Sequence, residues 1–190
     1  MSKEMQDHKK HIVVGHTIDA DYDSIGTAVD NSKPGESILI LPGVYETSAS
    51  IYVDKNIKIT GSGDPQEIIV KSHMSTVFVI TADYAQISNI TVTQETNFDA
   101  FGISIDSGSS IVSGCNLSSK GLACLSISGT ATPQIRNNRI HEGNDAGILV
   151  SGSSAGVIED NHIYKNRFAG IEIKGHANPL VTSNLSLIHI

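Results

Sequence analysis

Between Arg136 and Glu172 the chain gathers the side chains best suited to chemistry: Arg136, Arg139, His141, Glu159, Asp160, His162, Tyr164, Arg167 and Glu172. Guanidinium groups and imidazoles offer hydrogen-bond donors, and a tyrosine ring offers a stacking face. Carboxylates could run acid–base chemistry, but glycoside cleavage needs two of them at a defined separation. The pattern reads as a ligand groove, with Tyr164 stacking a sugar or peptide and the charged groups orienting it. A plainer reading stands beside it: a solvated face whose opposite charges pair from one repeat to the next.

A repeat is what would hold these residues together. Ala146-Gly147-Ile148-Leu149-Val150, then Val157-Ile158-Glu159-Asp160-Asn161, is written again as Ala169-Gly170-Ile171-Glu172-Ile173, then Leu180-Val181-Thr182-Ser183-Asn184. Gly147 and Gly170 are 23 residues apart, as are Asn138, Asn161 and Asn184. A fixed period of this size marks a solenoid. Apolar residues at i and i+2 (Ile148/Val150, Ile171/Ile173) give the strand period rather than the helical one.

Two strand types can be aligned along the chain. One carries inward pairs: Ile51/Val53, Val77/Val79, Ile103/Ile105, Leu125/Ile127, Ile148/Val150 and Ile171/Ile173. The other leads into an asparagine corner: Ile59, Ile87, Val112, Ile135, Ile158 and Val181. Their spacings of 22–28 residues give about six coils. At about 4.8 Å per coil the stack is roughly 29 Å long. Gly108, Gly129, Gly152 and Gly175 follow the first strand type, where a turn calls for positive φ. Asn138, Asn161 and Asn184 form an inward column whose amides can bond coil to coil, with Cys115 in that place one coil earlier. In this register Arg136 lies over Glu159 and Glu142 over Lys165.

Composition agrees with stacked thin coils. The chain has 190 residues, 39% hydrophobic and without Trp, so one core must be built from Ile, Val, Leu and Ala. The net charge of −7 argues against a nucleic-acid or anionic-membrane binder. No apolar run approaches the ~20 residues of a membrane span. Residues 1–11 read as a disordered leader without the apolar middle of a secretory signal. The chain as written is thus expected in the cytoplasm, with an extracellular place left open for a longer gene product. Asp23-Ser24 reads as a cap for a short helix near 23–32, with Ile25, Ala28 and Val29 on its apolar face. That helix would cover the open end of the solenoid. Cys115 and Cys124 fall at different corners and read as two core thiols. Gln86–Val92 reads as one strand.

The run Pro133-Gln134-Ile135-Arg136-Asn137-Asn138-Arg139-Ile140-His141, followed by Ala146 to Val150 and Gly156 to Ile171, resembles the repeats of right-handed parallel β-helix proteins. These are the pectin-lyase-like group, with repeats named for carbohydrate-binding proteins and sugar hydrolases. The run is similar to the β-helix of F-box adaptors and their bacterial relatives. The stretch Ile25 to Ala28, then Pro34-Gly35-Glu36 through Leu41-Pro42-Gly43-Val44-Tyr45-Glu46, resembles the opening of many such proteins, pectin methylesterases among them. The resemblance covers about residues 22–184. It implies an all-β, single-stranded right-handed parallel β-helix with a short N-terminal helical cap, but no particular activity. Residues 185–190 break the pattern and read as a non-native tail outside the fold.

Enzymes of that group usually attack acidic polysaccharides, with outward carboxylates clustered on one face, often around calcium. The outward column here reads Tyr52, Phe78, Ser104, Ser126, Leu149, Glu172, a single acid. Two positions on, Asp54 and Asp106 stand two coils apart, about 10 Å, too sparse for a metal cluster. The paired aspartates and Gly-His-Gly of polygalacturonases are missing, as are the signatures of the epimerases and methylesterases. Gly175-His176-Ala177 is a turn. The sequence therefore favours a non-catalytic recognition or scaffold module binding a protein or glycan along its side, without cofactor. A carbohydrate-active enzyme, with calcium entering only then, and a structural spacer are the alternatives. An uncovered last coil would favour self-association through the open C-terminal end.

Overall fold

The computed structural model describes residues 11–187. Of the expected leader only His11 is therefore described, and residues 188–190 of the expected tail lie outside the described residues. The chain winds through three parallel sheets of eight, seven and six strands, visiting them in that order on each turn. The strands are short because each must end at a corner. Their inward positions, two residues apart, are filled by β-branched side chains, as in Ile38/Ile40 and Ile68/Val70.

The eight-stranded sheet stacks Ile38, Ile59, Ile87, Val112, Ile135, Ile158 and Val181 directly over one another. That column continues below Ile38 to Ile12. The solenoid thus has about eight levels rather than the six expected, because two N-terminal strands, Ile12–Val14 and Ser37–Ile40, belong to it as well. Between them the helix Ile25–Asn31 takes the place of strands in the first turn. Ser24 caps it by accepting from Thr27 N, and Ile25, Ala28 and Val29 are buried against the first coil. Lys55 Nζ closes the other end of the helix, donating to the carbonyls of Val29 and Asp30 at 3.1 and 3.2 Å.

In the six-stranded sheet the expected pair Val77/Val79 is displaced by one residue. Ile51 pairs with Phe78 and Val53 with Ile80, and both of these pair onward with Ile103 and Ile105. Phe78, assigned outward by the spacing, is fully buried, and Val79 takes the outward place. The stretch Gln86–Val92 is likewise two strands, Gln86–Ser88 and Thr91–Gln94, broken at Asn89. Asn89 has φ of 58° and opens a corner column of left-handed residues: Asn89, Gly114, Asn137, Asp160 and Ser183. Gly108, Gly129, Gly152 and Gly175 all have positive φ at their own turn. At Gly108 a Cβ would also lie 2.1 Å from the carbonyl oxygen of Ala82.

The backbone of Leu185–Leu187 continues the coil, pairing in register with His162, Ile163 and Tyr164. Its side-chain pattern is inverted, however. Ser186 takes the inward place of Ile140 and Ile163, while Leu185 and Leu187 are exposed. At this end the inward Ile173 and Val181 are also open to solvent, 48% and 42% exposed.

Candidate functional site

The asparagine corner is a hydrogen-bonded ladder. Asn138 Nδ2 donates to Asn161 Oδ1, and Asn161 Nδ2 donates to Asn184 Oδ1, each at 2.9 Å. The same amides donate to the carbonyls of Val112, Ile135 and Ile158 at 2.7–3.0 Å. Cys115 N donates to Asn138 Oδ1 at 2.9 Å, so the cysteine terminates the ladder. Both cysteines are free and buried, and burial pushes their thiols up to about 11 and about 12. Asn138, Asn161 and both cysteines are at most 2% exposed and offer a ligand no surface.

Of the singled-out side chains, four come together on the outward face of the seven-stranded sheet: Arg139, His141, His162 and Tyr164. Register places Arg139 beside His162, and His141 beside Tyr164. The Tyr164 hydroxyl accepts from Arg139 Nη2 at 3.1 Å. The rings of His141 and Tyr164 are stacked, with centroids 4.9 Å apart and planes 19° apart. His162 tilts against the same tyrosine at 4.6 Å. One face of Tyr164 is therefore taken by His141, and a sugar cannot stack there. The ring presents its edge and its hydroxyl instead.

His141 is positioned from below by Asn116, whose Oδ1 accepts from Nε2 at 2.8 Å. Its Nδ1 sits 3.8 Å from Glu142 Oε1, too far for a hydrogen bond. His141 Nδ1 and His162 Nε2 are both covered and without a hydrogen-bond partner. Each such atom costs about 1–3 kcal/mol. Burial holds the His141 imidazole below its ordinary range. Glu142 opposes this shift, and Arg139, Lys165 and His162 reinforce it.

The remaining candidates lie elsewhere. Arg136 and Glu159 are register partners on the eight-stranded sheet, around the corner from Arg139. Asp160 is a corner residue in the left-handed column, where Asn and Asp are tolerated for their backbone. Arg167 lies past the next corner, its guanidinium 5.2 Å from the Phe168 ring and Nη1 3.4 Å from Asn144 Oδ1. Glu172 is on the six-stranded sheet, ion-paired with Lys174 at 3.0 Å. On that sheet Asp106 Oδ1 accepts from Ser104 and Ser128 at 2.6 and 3.0 Å, which ties it into the wall. Among the described residues, no three His, Cys, Asp or Glu side chains are grouped so as to hold a metal ion.

Two features escaped the sequence reading. A second polar corner links Ser119 to Gln94 at 3.2 Å and Asn166 Oδ1 to Gly143 N at 2.8 Å. Its residue types vary from coil to coil, so no repeated letter announces it. A recess at the cap end is built from residues far apart in sequence, among them His16, Asp23 and Glu46.

Three parallel sheets joined by left-handed corners and an internal amide ladder define a parallel β-solenoid. Residues 43–186 match the family described as right handed beta helix region, and the chain belongs to it. Among solved structures it is similar to YbhC of Escherichia coli, with a TM-score of 0.67 and 14% identity, covering 88% of this chain and 59% of that one. It is also similar to the pectin methylesterase of Aspergillus niger, with a TM-score of 0.58 and 16% identity, covering 95% of this chain and 75% of that one. The chain thus spans 59% of the YbhC structure's length. At these identities the likeness shows the fold alone.

Proposed function

We propose that this chain is a non-catalytic recognition module that binds a glycan along its side, through the outward face of the seven-stranded sheet. The observation that carries this reading is the convergence of Arg139, His141, His162 and Tyr164 on two adjacent coils. Arg139 is exposed and supplies a permanent cation for an acidic group. The Tyr164 hydroxyl suits a sugar hydroxyl, which both donates and accepts.

The enzyme reading draws on the fold shared with a pectin methylesterase. Against it, Asp106 is held by two serines and Glu172 by Lys174. Screening the whole chain against arrayed neutral and uronate-bearing glycans, with a parallel assay for released ester or new reducing ends, separates the two. Retention without product supports recognition. Product formation supports the enzyme, and retention by Arg139→Ala equal to the wild type removes this face from the account.

A further inference from the structure

The cap end holds a recess that the side-wall reading does not use. A hollow of about 220 Å³ opens between the loop preceding the helix Ile25–Asn31 and the strand Gly43–Thr47. Its floor is apolar: Tyr45, Ile51 and Val70 are each at most 5% exposed. Its rim carries His16, Asp23 and Glu46. His16 is held in place, its ring stacked on Tyr45 at 4.8 Å and its Nε2 donating to the Val44 carbonyl at 3.2 Å.

The charged side chains lining this recess, apart from His16, are the carboxylates of Asp23 and Glu46. Of the four aspartates within residues 12–32, Asp23 is the one that lines the recess. Glu46 adds a carboxylate on the facing strand, partly offset by Lys71 at 2.8 Å. No metal-binding group of three forms among the described residues, so the carboxylates suit an organic cation better than a metal ion. The volume is below the about 300–1,000 Å³ of pockets for drug-sized ligands and suits one long side chain. An apolar floor under an anionic rim complements the butyl stem and ammonium group of lysine. A second hollow of about 260 Å³, lined by Ser48, His73 and Met74, shares Glu46 and Thr47 with the first. The two hollows therefore adjoin at Glu46 and Thr47, which places the second within reach of the residue next to the lysine.

We infer that this groove docks a peptide segment of a partner protein by taking a lysine side chain between Asp23 and Glu46, with the neighbouring residue over Met74. The test is an amide-resolved NMR titration of the whole chain with the blocked tripeptide alanyl-lysyl-alanine amide. Its norleucine analogue and free butylamine serve as controls. The expected result is saturable shifts at Gly26 and Thr47, weakened at least about fivefold for the norleucine peptide and in Asp23→Asn. Asp23 is exposed, so that variant keeps the fold. Shifts that do not saturate, an equal response to norleucine, or unchanged binding by Asp23→Asn would overturn the inference. Butylamine binding as tightly as the peptide would overturn its peptide-docking part.

Discussion

Asn138 and Asn161 are joined twice through a single atom: the backbone N and the Nδ2 of Asn138 both donate to Asn161 Oδ1, at 3.0 and 2.9 Å. Asn161 repeats the arrangement on Asn184. Each asparagine therefore closes the corner of the coil that precedes it, and the column acts as one cooperative strip.

Asn161→Ala removes the acceptor for two donors of Asn138 and the donor for the carbonyls of Ile135 and Glu159. Asn161 is 2% exposed, so water cannot replace these bonds without opening the corner. The expected loss is about 3 kcal/mol, read from urea denaturation. A loss below about 1 kcal/mol would show that the ladder is dispensable.

Phe78→Ala should cost about 3–5 kcal/mol, because the ring is fully buried between Ile51 and Ile103 of the neighbouring coils. Val79→Ala, one residue along and facing outward, should cost under about 1 kcal/mol. Denaturation of the two variants checks the register directly, since the opposite order would restore the Val77/Val79 pairing.

The depressed His141 imidazole links stability to pH. In the folded chain the neutral ring is favoured, by burial first and by Arg139, Lys165 and His162 in addition. The unfolded chain takes up the proton near the ordinary value of about 6.5. This contribution is therefore complete above about pH 6.5 and is lost as the pH falls through the lower folded value. His141→Gln should flatten the acid side of the stability profile, measured by urea midpoints at pH 7.5 and below. An unchanged profile would contradict the assignment.

The repeat was legible in the C-terminal half because Ile135, Ile158 and Val181 keep a constant 23-residue step and an asparagine follows each of them at the same corner. Around Val77-Phe78-Val79-Ile80 four apolar residues run together, so alternation carries no phase there. A slip of one residue exchanges inside for outside. The steps of 27 and 25 residues around Phe78 are set by corner lengths that the sequence does not mark. The candidate site was only partly legible for a related reason. Arg136 and Arg139 are three residues apart, but a corner turns them onto different surfaces, and Arg167 lies past the next corner of the following coil. The i, i+2 pairs Arg139/His141 and His162/Tyr164 share the outward face of the seven-stranded sheet.

Within that face, Tyr164→Phe should weaken glycan binding modestly, by about threefold, because Arg139 loses its hydroxyl partner but keeps its charge. Arg139→Ala should weaken it more, by about tenfold or greater. Neither change touches the core, so both variants should melt close to the wild type. Calorimetric titration with whichever glycan the array retains gives the comparison. Equal effects from Glu172→Gln, on the six-stranded sheet, would move the site.

The most direct test of recognition without turnover is to hold the whole chain against uronate-bearing oligosaccharides and follow both partners by mass spectrometry. The account expects saturable binding to the wild type, its loss in Arg139→Ala, and oligosaccharide recovered unchanged in mass and length. Shortened or de-esterified product from the wild type, or undiminished binding by Arg139→Ala, would contradict it.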